Sequence, residues 1–207
     1  MTTSIRQTES TLPPIPTEGA DPYLVPAFPL SNRLMRALWG FVCAIAFRTS
    51  PRPFHSWRAF VLRSFGAKLG PDVHIYPKAS IWAPWNLTCE DGATIADEAI
   101  IYNPKPVTLG SHAIVSQQAY LCGATHDYED PNFPLVAFPI SIGSYAWICA
   151  RATVQPGVSI GEGAVLALGA VASQNLQPWT VYGGIPARKI KMRINRAKTP
   201  KTQACDG

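Results

Sequence analysis

Charged residues are scarce in this chain. Lys, Arg, Asp and Glu make up 15% of its 207 residues, whereas Pro (20) and Gly (15) are plentiful. A helical bundle needs charged outer faces and few breakers, so the balance argues against that class and for a turn-rich, mainly β body. Cysteine is short too: five residues, odd in number, with no CxxC. Neither a disulfide scaffold nor a zinc knuckle follows, and a reducing cytosol is the simplest home. Long apolar runs are missing. The longest free of charge, Ala37–Phe47, falls well below the roughly 20 residues that span a bilayer. Met1–Leu30 is polar and proline-rich, not a basic start leading into an apolar run, so no secretory leader is expected there.

Acids are absent from one stretch altogether. Residues 31–68 hold seven bases and no acid, residues 188–207 seven bases and one acid, and residues 69–187 three bases against nine acids. Two basic flanks therefore bracket a mildly acidic body, and such flanks meet phosphates of nucleic acid, lipid headgroups or a nucleotide cofactor. Aromatic stacking platforms and RNA motifs are lacking, so nucleic acid is not an expected partner.

What is present is a period of six. In IGSYAWICARATVQPGVSIGEGAV an aliphatic residue returns at Ile142, Ile148, Val154 and Ile160, then at Leu166, with a small residue four places on (Ala146, Ala152, Val158, Ala164, Ala170). Helices repeat every three or four residues and half-buried strands every two, so neither explains it. Three short strands joined by turns do: six residues cover one side of a triangular coil and eighteen complete it. The aliphatic points into the prism, and the small residue sits near a corner. The repeat runs through Leu69, Ile75, Ile81 and Leu87, then Ile95, Ile101 and Val107, then Leu109, Val115 and Leu121. Register slips of two are expected near Asp91–Gly92 and at Val107–Leu109, with a longer break over Asp127–Pro139.

Four segments follow: a flexible Pro-rich arm at 1–30, a helical segment at 31–68, the β-helix at 69–187 with an inserted loop at 127–139, and a basic tail at 188–207. The first helix should be capped by Ser31 or Asn32, with Leu34, Leu38, Phe41, Val42 and Ile45 on one face, widened by Met35, Trp39 and Phe47. Arg33, Arg36, Gly40 and Ala44 form its narrow opposite side. The second helix should run from Pro51 or Pro53 to Phe65, with Trp57, Val61 and Phe65 inward and Arg58 and Arg63 outward. Packing on the prism is the expected role of the first helix. Peripheral membrane contact through residues 31–65 is the other option.

The motif [LIV]-[GASTC]-x-x-[AVTS]-x resembles the hexapeptide-repeat transferases, which implies a left-handed parallel β-helix. Narrower segments agree. LCGATHDYE (Leu121–Glu129) and FPISIGSYAWI (Phe138–Ile148) are similar to the active-site segment of galactoside, maltose and xenobiotic O-acetyltransferases, and GGIPARKI (Gly183–Ile190) to their closing motif. FRTSPRPFHSWRAFVLRSFGAKLG resembles the colanic-acid-biosynthesis acetyltransferase subgroup. The resemblance implies a cytoplasmic homotrimer, at the inner face of the membrane if the acceptor is lipid-linked. Its active sites would lie between prisms, and it would move acetyl from acetyl-CoA to a sugar or glycolipid hydroxyl without a metal.

It also implies site residues. His126 matches the catalytic base, a role that suits an imidazole titrating near neutrality. An orienting group, whether Asp127, Glu129 or a backbone carbonyl, should hold its second nitrogen. Asn86 and Trp85 would meet the acceptor, and Trp147 the acyl end of the channel. Ala150, Leu168 and Ser173 would line the pantetheine strip, with Arg188, Lys189 and Lys191 on the phosphates. Cys149, Leu168 and Gln174 depart from the family pattern. His55 and His74 read as packing or surface residues, and His112 as a corner-turn residue. A γ-type carbonic anhydrase would need HxxxxH, which is missing. Serine acetyltransferases carry a larger helical region, xenobiotic acetylation is closer in motif, and a non-catalytic scaffold would have no use for a histidine at the loop edge.

Overall fold

The computed structural model describes residues 27–194; most of the arm expected at 1–30, and the tail beyond 194, lie outside the described residues. Helix α1 (Leu30–Val42) continues as one π-helical turn (Cys43–Phe47), and α2 (His55–Ser64) follows. The first coil is β1 (Lys68–Leu69), β2 (His74–Ile75) and β3 (Ser80–Ile81). The second is β4 (Leu87–Cys89), β5 (Thr94–Ile95) and β6 (Ile100–Tyr102), and the third β7 (Val107–Leu109), β8 (Ile114–Val115) and β9 (Tyr120–Cys122). A hairpin, β10 (Ala124–His126) and β11 (Leu135–Ala137), interrupts the winding. It resumes with β12 (Ile140–Ile142), β13 (Trp147–Ile148) and β14 (Thr153–Val154), then β15 (Ser159–Ile160), β16 (Val165–Leu166) and β17 (Val171–Ala172). A partial sixth coil, β18 (Thr180–Gly183), turns back as β19 (Arg188–Met192).

Equivalent strands pair in parallel to make three faces: face one is β1-β4-β7-β12-β15, face two β2-β5-β8-β13-β16-β18-β19, and face three β3-β6-β9-β14-β17, with β19 alone antiparallel. The six-residue aliphatics are the inner ladders. Ile75, Ile95, Val115, Ile148 and Leu166 stack inside face two, and Ile81, Ile101, Leu121, Val154 and Ala172 inside face three, all buried. Each fully buried Ile or Leu contributes about 1.5–3 kcal/mol relative to exposure, so no seat tolerates a polar residue. The small residues are corner pieces: Ala113, Ala119, Ala146, Ala152, Ala164 and Ala170 have no accessible surface. Gly143 marks a second steric limit, since a Cβ there would stand 2.6 Å from the backbone nitrogen of Glu162 on the next coil.

The register slips lie elsewhere than expected. The early coils advance 20 residues (Leu69 to Cys89 to Leu109) and a later one 18 (Ile142 to Ile160). The first extra pair sits in the corner after face three, at the 3-10 turn Pro84–Asn86, not at Asp91–Gly92. Leu87 and Cys89 both point inward, so Leu87 keeps step with Ile81 while Cys89 takes the ladder seat.

The helices close the open end of the stack. Gly70, His74 and Ser80 donate to the second coil, which leaves Leu69, Ile75 and Ile81 with backbone groups turned to the bare edge. Side chains reach all three faces: Arg63 Nη2 donates to the Leu69 carbonyl at 3.0 Å, Arg58 Nε to that of Ile75, with His55 Nδ1 3.0 Å from the same oxygen, and Trp39 Nε1 to that of Ile81 at 2.7 Å. Arg58 is therefore buried, not outward. Its other nitrogens donate to Ser50 Oγ and to the carbonyls of Pro51 and Arg52. That rotates α2 so that Trp57 is left outside and Ala59, Val61 and Leu62 face in. Helix α1 likewise seats on Trp39, Cys43 and Phe47, while Leu34, Leu38, Phe41 and Ile45 stay exposed. Its N-cap position is Pro29, without a side-chain cap, in place of Ser31 or Asn32.

Replacing Arg58 with Met leaves the buried Ile75 carbonyl and the part-buried carbonyls of Pro51 and Arg52 without this donor and should cost about 3 kcal/mol in urea unfolding. Arg63→Ala, which acts on the same edge from the solvent side, should cost less than about 1 kcal/mol.

Candidate active site

His126 ends β10, on a hairpin whose arms pair Ala124 with Ala137 and His126 with Leu135. The loop between them is held by local turns. Asp127 Oδ1 accepts the Glu129 N–H, Asp130 Oδ1 accepts the Asn132 N–H, and the Asp127 N–H donates to the Pro134 carbonyl. The His126 ring stacks flat on Phe133, with centroids 4.6 Å apart and planes 10° apart, and its Nδ1 lies 2.8 Å from the Phe133 carbonyl oxygen. A carbonyl only accepts, so Nδ1 carries the proton and Nε2 keeps a lone pair. Of the three orienting groups considered, the backbone carbonyl holds the ring, and the side chain is exposed with its basic nitrogen free. That is the arrangement a general base needs.

The hairpin leaves the prism at the edge between faces three and one. There Gly123 donates to the Tyr102 carbonyl, and Phe138 donates back to Gly123. Asn86 and Trp85 belong to the same edge, in the 3-10 turn two coils below. Asn86 Nδ2 donates to the carbonyls of Asn103 (3.1 Å) and Pro104 (2.8 Å), which fixes the side chain across the corner. Trp85 is half-buried, with its Cβ beside the position a Cβ on Gly66 would take. One coil above them the fully buried Asn103 clamps Ala83 with two hydrogen bonds of 2.8 and 2.9 Å, replacing a strand bridge where the coil bulges.

The remaining candidates divide between other parts of the prism. Trp147 stands on the outside of face two, 44% exposed, and its Nε1 donates to Ser116 Oγ at 2.8 Å. Ala150 and Leu168 come together at the edge between faces two and three, lining an open groove of about 420 Å³ with Gln117, Gln118, Arg151, Asp97 and Glu98. Ser173 follows β17 and falls on the His126 edge instead, exposed. Arg188, Lys189 and Lys191 are exposed on β19, and Arg188 pairs with Gly183, whose own position abuts Ala167 at the top of the groove. The candidates thus fall into two groups on one chain: His126, Asn86, Trp85 and Ser173 on one edge, and Ala150 and Leu168 on the next.

Sequence reasoning missed several contributors. Phe133 orients His126 through both ring and carbonyl, and Ser116 holds Trp147; neither carries a spacing signal, because both act through the fold. Gln118 and Arg151 were missed as well. Together with Glu98 they take left-handed turn conformations (φ 59°, 58° and 62°) at successive coil corners, and Arg151 is the only base between Lys105 and Arg188. They form a ladder in which Arg151 Nε donates to Gln118 Oε1 and Gln118 Nε2 to Glu98 Oε2, both at 2.8 Å. His112, also left-handed at φ 57°, stacks on Tyr145 in the manner of a corner-turn residue.

No family model matches the chain. It is 39% identical over 163 residues to the colanic acid biosynthesis acetyltransferase WcaF of Escherichia coli, across 79% of this chain and 90% of that protein. It is 28% identical over 132 residues to the galactoside O-acetyltransferase of the same organism, across 62% and 58% of the two chains. Among solved structures, the hexapeptide-repeat acetyltransferase VCA0836 of Vibrio cholerae superposes with a TM-score of 0.73 at 22% identity, covering 81% of this chain and 95% of that one. A galactoside acetyltransferase in complex with coenzyme A gives 0.74 at 21% identity, covering 86% and 90%. The fold class expected from the repeat, the left-handed parallel β-helix, is the one the chain has.

Cys149, where the family pattern has glycine, does not supply a nucleophile. Burial pushes its thiol up, as it does that of Cys89 to about 12, so both stay protonated near neutrality. Both should resist an aromatic disulfide reagent at pH 8 in the folded protein and react once it is unfolded in guanidinium, as read by peptide mass mapping.

Proposed function

The chain belongs to the hexapeptide-repeat acetyltransferases, and from that premise we propose that it moves an acetyl group from acetyl-CoA to a sugar hydroxyl, in the assembly of an exopolysaccharide or lipopolysaccharide. The observation that carries this reading is the His126 ring, fixed by the Phe133 carbonyl with Nε2 free. His126 Nε2 takes the proton of the acceptor hydroxyl as that oxygen attacks the thioester carbonyl. The imidazolium then returns the proton to the thiolate that leaves. A base of this kind contributes roughly 10²–10⁴-fold, and the Phe133 carbonyl keeps the ring oriented through the transfer.

The groove between faces two and three fits a pantetheine arm. Leu168 and Ala150 offer apolar wall, and Gln117 offers a side-chain amide to an extended chain that itself carries amides. Arg188, Lys189 and Lys191 at its top supply the charge that phosphates require. Asn86 donates both its described hydrogen bonds to backbone, which leaves Oδ1 as the atom offered to an acceptor hydroxyl.

Since the base and the groove occupy different edges of one prism, a complete site takes His126 from one copy and the groove from a neighbour. We therefore propose a homotrimer, which closes three such sites by symmetry. A cytoplasmic workplace is consistent with the four described cysteines, none of which is paired.

Acetyl transfer is tested by thiol release from acetyl-CoA over a panel of sugar and glycolipid acceptors. Acceptor-dependent release should fall at least about 10²-fold in His126→Ala while the variant keeps its fold; equal release from both proteins would remove His126 from the mechanism. Replacing Arg188, Lys189 and Lys191 together with Ala should raise the KM for acetyl-CoA several-fold with little change in kcat, as expected for groups that bind a distant phosphate. Co-expressing His126→Ala chains with Leu168→Asp chains should recover activity that neither variant has alone, because mixed trimers contain some intact pairs of edges. No recovery would contradict a site shared between copies.

A further inference from the structure

The side of α1 that packs on the prism is not its most apolar side. Trp39, Cys43 and Phe47 enter the core over the open edge of the first coil. At 100° per residue, Leu30, Leu34, Leu38, Phe41 and Ile45 form a single stripe roughly opposite to them. Every member of that stripe is exposed, from 53% at Leu38 to 65% at Leu30 and Phe41. Since the buried side faces the stack of coils, the stripe faces off its blunt end.

The stripe extends onto α2. Trp57 Nε1 donates to the Ala46 carbonyl at 2.8 Å, which ties Trp57 to the end of α1 beside Ile45, and the Trp57 and Phe60 rings lie 5.8 Å apart, both exposed. A contiguous apolar patch of this size on the surface of a monomer marks an interaction site. Its rim is basic: Arg33, Arg48, Arg52 and Arg63 are exposed on the same helices and their connection, no acid occurs between residues 27 and 68, and the one described ion pair among them joins Arg52 to Asp97 at 3.4 Å.

We propose that this end of the protein docks on the surface of an anionic lipid bilayer, with α1 lying in the interface and the basic rim against the headgroups. Apolar Leu, Phe and Trp on one side with cationic flanks is the chemistry that holds a helix in the interfacial plane. Insertion across the bilayer is a different matter: among the described residues no helix is long and apolar enough to cross it, and Trp39, Cys43 and Phe47 pin α1 to the prism. Charge selects lipid over a second copy of this chain: two copies docked stripe to stripe would bring two sets of exposed arginines, Arg33 and Arg48 among them, to one interface with no acid from either helix to offset them. In the trimer proposed above, three-fold symmetry would put three stripes at one height and turned the same way, so that they would engage a membrane together. The docking does not depend on the acetyltransferase reading.

The test is co-sedimentation of the full chain with phosphatidylcholine vesicles containing a third phosphatidylglycerol, against pure phosphatidylcholine. Binding to the anionic vesicles should be at least about tenfold tighter, and should weaken between 0.1 and 0.5 M salt on the order expected for exposed cations. Leu34→Ser with Phe41→Ser should abolish it, and Arg33→Glu with Arg48→Glu should remove the preference for anionic lipid; circular dichroism confirms that each variant is folded. Should the double serine variant misfold, Leu38→Ser alone should still lower binding measurably. The proposal is overturned if the wild-type chain stays in the supernatant with both vesicle types. It is equally overturned if the serine variants keep vesicle binding but lower the mass in light scattering, which would assign the stripe to contacts between copies.

Discussion

Every coil of this protein has to do two things at once: seat an aliphatic residue inward on each of three faces, and pass its backbone groups to the next coil. Inside the stack the ladder meets the second demand without help. At the first coil it fails, because Leu69, Ile75 and Ile81 have no coil in front of them. The N-terminal helices exist in their observed form to answer that failure. A buried guanidinium, an indole N–H and a half-exposed arginine reach one carbonyl on each face. Arg58 is inside because the edge needs donors there, and no hydrophobic pattern anticipates it. Trp39 serves both demands, filling the core and donating to Ile81.

The same ladder explains how a repetitive body carries a particular site. A regular coil offers only corners and flat faces, so chemistry enters where the repeat is broken. The hairpin that interrupts the third coil carries His126 away from the prism, and the two-residue excess in the early coils makes the bulges occupied by Pro84–Asn86 and Asn103–Pro104. Asn103 repairs the bulge with a side-chain bridge, while Asn86 ties the two corners together. The unbroken coils supply the straight groove. The breaks sit on one edge and the groove on another, and it is this separation that leads to the proposal of a site shared between copies.

Much of this was legible in the residues. A six-residue period survives substitution because it reflects burial, so Leu69 to Ala172 could be read as coils before any coordinate was considered. The hairpin was visible as a gap in the period, and His126 as the histidine at its start. What stayed hidden was set by contacts between residues distant in sequence. The rotation of α2 follows from the carbonyl of Ile75, seventeen residues beyond Arg58. The grip on His126 comes from a main-chain oxygen, for which any residue at 133 would look equivalent on paper. The slip expected at Asp91–Gly92 failed because Leu87 and Cys89 are both apolar and both inward, which leaves the pattern without a mark where the extra residues enter.

The central claim is that His126 of one copy faces a thioester held in the groove of another. A crystal structure of the full chain with coenzyme A tests it most directly. The account predicts a trimer with the pantetheine along Ala150 and Leu168 of one chain, and its sulfur within about 3.5 Å of His126 Nε2 of a neighbour, the reach a general base requires. A coenzyme bound wholly within one chain, or a sulfur remote from every His126 Nε2, would contradict it.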